Sequence, residues 1–195
     1  MCSAPRLFLK ERPTLWLGIL AVAFFAIHAA RQLQAGTPGN LLWACHVADL
    51  CVGVGLIFRK PSVCAAGVLL LIVGVPLWII NLAYGGAFYP TSILTHVGGL
   101  TIGIVGLRRT GMPQESWLVA VGIVAALVLA ARAFTGPAAN INLAFEPWRW
   151  QNSWFLLPEI YVLALLGSWT VLLWSVQQVY GLLGNRIASR QSISL

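Results

Sequence analysis

Apolar residues run through this chain in six long stretches, at about 14–30, 41–58, 63–84, 91–107, 117–134 and 154–180, and polar residues crowd into the gaps between them. A helix needs about 17–25 apolar residues to cross a bilayer, so each stretch is long enough to span one. The gaps carry helix-ending chemistry: Gly36-Thr37-Pro38-Gly39, Arg59-Lys60-Pro61, Gly85-Gly86, Arg108-Arg109 and Gly136-Pro137. The pattern predicts an all-α polytopic membrane protein, with six transmembrane helices in one bundle and residues 1–195 as a single domain. The first stretch exceeds a signal-peptide core and no clear small-residue cleavage site follows it, so it reads as a retained helix. Pro76 predicts a kink in the third helix. Gly99 and Gly103, four apart in the fourth, predict close packing of helix backbones. No internal repeat is evident, which removes support for an inverted-repeat transporter.

Composition sharpens this picture. The chain is 59% hydrophobic and only 9% charged, with a mean hydropathy of +0.84. A soluble domain carries about a quarter charged residues, so this chain has too few to cover itself against water. Its net charge of +7 would point to nucleic acid in a soluble protein, but here the basic residues flank apolar spans. The loops are too short for a nucleic-acid platform, and the nine tryptophans fit an interfacial belt. With the N-terminus inside, the cytoplasmic side holds Arg6, Lys10, Arg12, Arg59, Lys60, Arg108, Arg109, Arg186 and Arg190. The opposite side holds Arg31, Arg132 and Arg149. That bias places both termini of a multi-pass protein in the cytoplasm, and the expected location is a bacterial inner membrane. The four cysteines (Cys2, Cys45, Cys51 and Cys64) show no CxxC pair and predict no disulfide framework.

The polar residues inside the spans fall on one side. His28 ends the first span, Cys45, His46 and Asp49 lie in the outer half of the second, and Asn81 and Tyr84 close the third. Thr95 and His96 lie one turn into the fourth, Asn140 and Asn142 follow the fifth, and Glu146 and Glu159 flank the entry to the sixth. Ionisable groups are costly in a bilayer and usually face the bundle interior at a functional site. Cys45 and Asp49 are four apart and His46 and Asp49 three apart, so the three share adjoining helix faces. At about 1.5 Å per residue, His96 comes to a similar depth in its own helix, within reach of Cys45 or His46. His28 sits near enough to the interface to snorkel, and Cys51 and Cys64 read as small buried hydrophobes.

Three chemistries fit the cluster. A cysteine with a neighbouring imidazole supports nucleophilic catalysis, with an acidic residue orienting the base. His28, His46, His96 and Asp49 offer donors for zinc or non-haem iron, and two histidines on different helices suit an axial haem pair. No HExxH run is present, so the sequence assigns no metal ligand and no cofactor.

The order of the motifs resembles the YwaF-like bacterial membrane proteins and their eukaryotic relatives that act as transmembrane phospholipid acyltransferases. The matching pieces are Leu41-Leu42-Trp43-Ala44-Cys45, Leu94-Thr95-His96-Val97-Gly98, Thr135-Gly136, and Asn140-Ile141-Asn142-Leu143-Ala144-Phe145-Glu146-Pro147, with a Trp/Pro-bearing entry to the last helix. They cover roughly residues 15 to 165. The resemblance implies a six-helix bundle in which Cys45 is the nucleophile and His96 its base. Lipid-ester hydrolases with an intramembrane threonine and histidine look similar in architecture.

The expectation is therefore an outer-leaflet polar pocket, serving an acyltransferase or a lipid-ester hydrolase. Cys45, His96, His46 and Asp49 would form its catalytic group, with Asn140, Asn142, Asn81 and Thr95 binding substrate and an asparagine amide donating to the oxyanion. A non-catalytic lipid or small-molecule binder or transporter, and a metal or haem protein, are the alternatives. Membrane lipids are the expected partners, nucleic acid is not, and a homo-oligomer fits the architecture.

Overall fold

Long apolar runs with no polar break give long helices, because in lipid each backbone group must find its partner inside its own segment. The computed structural model describes residues 5–146 and 158–193, with side chains for 13–146 and 159–182. Six helices account for most of it: α1 (Pro5–Gln34), α2 (Ala44–Ile57), α3 (Pro61–Ala83), α4 (residues 91–110), α5 (Ser116–Phe134) and α6 (Pro158–Ile193). No strand occurs among the described residues. Four helical segments are long and apolar enough to cross a membrane: Pro13–Gln34, Pro61–Ala83, Ser116–Phe134 and Glu159–Leu182.

The boundaries depart from the hydropathy pattern in three places. Leu41 and Leu42 are apolar, yet they belong to a 3-10 turn, Pro38–Leu42, and Trp43 is extended before α2 begins at Ala44. Pro38 and Gly39 turn the chain over here, leaving a helix of 14 residues. At about 21 Å, it is shorter than the ~30 Å apolar core of a bilayer. The first helix runs four residues past the expected end at 30, which carries His28 more than a turn inside. The fourth is one rod in three pieces, an α-helical turn Thr91–Ile93, a π turn Leu94–Gly98 and an α-helix Gly99–Thr110. Pro76 lies within an uninterrupted α3. The expected start of the last span at 154, together with Pro147 and Arg149, lies outside the described residues.

α3 is the axis of the bundle, packing against α2, α4, α5 and α6. Cys64 to Leu71 are buried on every face, as befits a helix that is apolar all round. The α2–α3 contact is the most extensive, and Gly67 makes it possible. A Cβ there would stand 2.5 Å from the carbonyl oxygen of Ala48 and 2.9 Å from the amide of Val52. On the outside, Trp16, Phe58, Phe134 and Leu163 are each two-thirds or more exposed. So much outward apolar surface suits lipid rather than water, and the chain is a helical membrane protein.

Candidate functional site

The site is built where α1 ends and α2 and α4 begin, at one end of the bundle. α2 contributes most, and a distant residue fixes its first turn. Trp43 supplies no side-chain cap. Asn142, nearly a hundred residues on, accepts the Ala44 amide at 2.8 Å and donates to the Leu42 carbonyl at 2.7 Å. One buried amide thereby satisfies a donor and an acceptor that the helix start leaves unpaired. Asn142 reaches them from the left-handed region, φ 55°, which asparagine tolerates. Asn142→Ala is expected to cost about 2 kcal/mol, seen as a lower melting temperature in detergent.

Beyond that cap lie Cys45, His46 and Asp49. The His46 Nδ1–H donates to the Asn40 carbonyl at 2.8 Å, so Nε2 carries the lone pair. His96 is built the same way: its Nδ1–H donates to the Ser92 carbonyl at 2.8 Å, and its ring stacks on Trp78 with centroids 4.5 Å apart. The His96 Nε2 is buried and has no hydrogen-bond partner. The π turn holds Thr95 and His96, and such turns recur at functional sites because they re-aim side chains. As a result, the donor atoms of Cys45, His46 and His96 all lie within 4.8 Å of one another. The two imidazole rings meet edge to face, 5.6 Å between centroids.

His28, which the sequence leaves at the margin, is fully buried beside this trio. Its Nε2 stands 3.1 Å from the His46 Nε2, and its Nδ1 stands 2.9 Å from the Thr91 hydroxyl. Gln32, one turn on, directs its amide nitrogen to the His28 Nε2 at 3.1 Å. The Gln32 oxygen accepts from Thr37 at 2.7 Å and from Asn40 at 3.1 Å. Gln32 was within reach of sequence reasoning, being four residues from His28 on the same face. Asn40 and Trp78 were not, since only the fold brings them here.

The other expected residues are placed differently. Asp49 is fully buried against Gly99, and neither carboxylate oxygen has a hydrogen-bond partner, so it orients no imidazole. Thr95 donates to the Ser92 carbonyl at 3.1 Å and lies 3.3 Å from the His96 Nδ1. The Asn140 side chain is tied into its own loop, accepting from Phe145 at 3.0 Å and donating to the Glu146 carbonyl at 2.9 Å. With Asn142 engaged at α2, neither amide faces the cysteine as an oxyanion donor. Asn81 is exposed in the last turn of α3. Two open clefts lie elsewhere, one between Gln114, Trp117 and Gln177, the other along Ala164 to Ser175 of α6.

What the fold and site define is an apolar helical membrane bundle with a buried cysteine–histidine cluster at one end. Comparison with family models, with curated proteins and with solved structures gives no match, so chemistry must be argued from these side chains alone.

Proposed function

We propose that this protein is a membrane-embedded binder of a thiophilic divalent metal ion, held between α2 and α4 by Cys45, His46 and His96. One observation carries the reading. Three donor atoms converge within 4.8 Å, and both imidazoles have Nδ1–H engaged by a backbone carbonyl, which leaves Nε2 as the ligand atom. Metal-bound histidines are held in this manner, with the second nitrogen donating to a carbonyl or carboxylate that sets tautomer and ring angle. One sulfur and two nitrogens favour zinc and its neighbours over magnesium or calcium, which take oxygen. Purified protein, stripped with a chelator and titrated with Zn2+, is expected to bind one equivalent. A chain that takes up no Zn2+ would exclude the reading.

A second reading has one observation of its own. Cys45 is only half-buried, a nitrogen of His96 lies within 4.8 Å of its sulfur, and the His96 Nε2 has no hydrogen-bond partner. A thiol so placed suits the lipid acyl-transfer or ester-hydrolysis chemistry of the YwaF-like resemblance, with His96 as base. It predicts acyl exchange between glycerolipids that Cys45→Ala abolishes, and full exchange by that variant would remove it. Under either reading the chain spans the membrane several times. The excess of Lys and Arg flanking it supports cytoplasmic termini with the site facing outward among membrane lipids, and the YwaF-like resemblance favours a bacterial inner membrane.

A further inference from the structure

We propose that Asp49 is the counter-charge of this site: its carboxylate neutralises the excess positive charge that a divalent ion brings to Cys45, His46 and His96, and so sets the affinity for that ion. The inference rests on the metal-binding reading and adds a residue that acts on the metal without touching it.

Its position follows from helix register. Asp49 lies three residues beyond His46 on α2, and Gly99 lies three residues beyond His96 on α4. Both helices begin at the cluster and run inward, so each of these steps is about 4.5 Å deeper along its axis. Gly99 is where the carboxyl meets α4, since a Cβ there would overlap the Asp49 Oδ1. The acid thus occupies the same seam between α2 and α4 as the three donors, one turn further in. It is fully buried, and neither oxygen has a hydrogen-bond partner. Every Lys and Arg among the described side chains is exposed, and none of them is its partner.

A buried carboxylate in this state is among the most costly groups a fold can keep, and it becomes tolerable when an opposite charge lies close by. The metal reading supplies that charge. A divalent ion held by one thiolate and two neutral imidazoles leaves one positive charge inside an apolar bundle. The Asp49 carboxylate carries one negative charge, so ion, thiolate and carboxylate sum to zero. Attraction over so short a path is strong where water is absent. Asp49 is outside the trio whose donor atoms converge within 4.8 Å, so it acts through space rather than by coordination.

The test compares full-length wild type with Asp49→Asn in detergent, where the amide keeps the shape and drops the charge. Asp49→Asn is expected to bind Zn2+ about 10–100-fold more weakly, the loss seen when a partner behind the ligands is removed. Without metal the same variant should melt at or above the wild-type temperature, because it sheds an unpaired acid. Loaded with Co2+, it should show the wild-type visible bands and thiolate charge-transfer band, since no ligand has changed. Asp49→Ala is the second neutral variant and should repeat the loss of affinity. Zn2+ affinity equal to wild type in either variant would overturn the proposal and leave the metal-binding reading intact. So would an altered Co2+ spectrum, which would make Asp49 a ligand, or an Asp49→Asn protein that melts lower without metal, which would make the carboxyl structural. A wild type that takes up no Zn2+ would overturn both.

Discussion

Replacing Cys45 with serine is expected to lower the affinity of the purified protein for Zn2+ by more than about 100-fold. Loss of an outer partner that merely orients a ligand already costs about 10–100-fold, and loss of the ligand atom itself must exceed that. A serine hydroxyl preserves the size of the side chain but offers no thiolate, so the change is chemical rather than steric. The effect has a second readout that needs no spectroscopy. An ion that binds only the folded state stabilises it by an amount that grows with the logarithm of its free concentration over Kd, about 2.7 kcal/mol at a hundredfold excess. Wild-type protein should therefore melt at a higher temperature when Zn2+ is added, and Cys45→Ser should not respond at the same concentration. Equal responses of the two proteins would show that the sulfur is no ligand. Cys51 is the natural control: it too is half-buried on α2 but lies outside the cluster, so Cys51→Ser should keep the full response.

Gly67→Leu is expected to cost about 3 kcal/mol or more of bundle stability, and the metal response with it. The Cβ alone would press on the Ala48 carbonyl oxygen and the Val52 amide, both of them backbone atoms. Neither can turn aside as a flexible side chain would, so α2 must move away from α3. Overpacking of an interior costs about 1–3 kcal/mol where side chains can adjust, and here the obstruction is the partner helix itself. Displacing α2 also moves Cys45 and His46 relative to His96, so binding fails for a reason remote from the ligands. Gly122 gives the comparison, since a Cβ there meets nothing within 4 Å and Gly122→Ala should be neutral or slightly stabilising. Melting of the two variants side by side, in the same detergent, decides it; a Gly67→Leu protein as stable as wild type would contradict the contact.

Much of this architecture is readable from the chain because a bilayer imposes a length and turn residues punctuate it. The helix α3 is legible for that reason: an apolar run between Pro61 and Gly85-Gly86 has little else to become. Depth arithmetic likewise brings His96 level with Cys45 and His46, since helical rise is constant. What escapes is whatever tertiary contacts decide. α2 starts late where Asn142, nearly a hundred residues on in the chain, caps it, and Leu41-Leu42 look helical until that contact is known. The π turn through His96 depends on how α4 packs at Gly98 and Gly99, against Phe24 and Asp49. His28 is undervalued in the sequence because hydropathy fades after Ala30, whereas backbone hydrogen bonding carries α1 on to Gln34. One extra turn of helix separates a residue at the interface from one in the core.

Asp49 gives the polar groups of this bundle a direction. At the outer edge the Gln32 amide oxygen takes two donors, and the His28 and His46 rings each use both nitrogens. One step in, His96 uses one of its two, and at Asp49 neither oxygen is used. Unmet hydrogen-bonding capacity thus rises from the Gln32 amide to the Asp49 carboxylate. Among these groups the Asp49 carboxylate is where hydrogen-bond partners run out altogether, so the bundle keeps its least satisfied polar group in its interior.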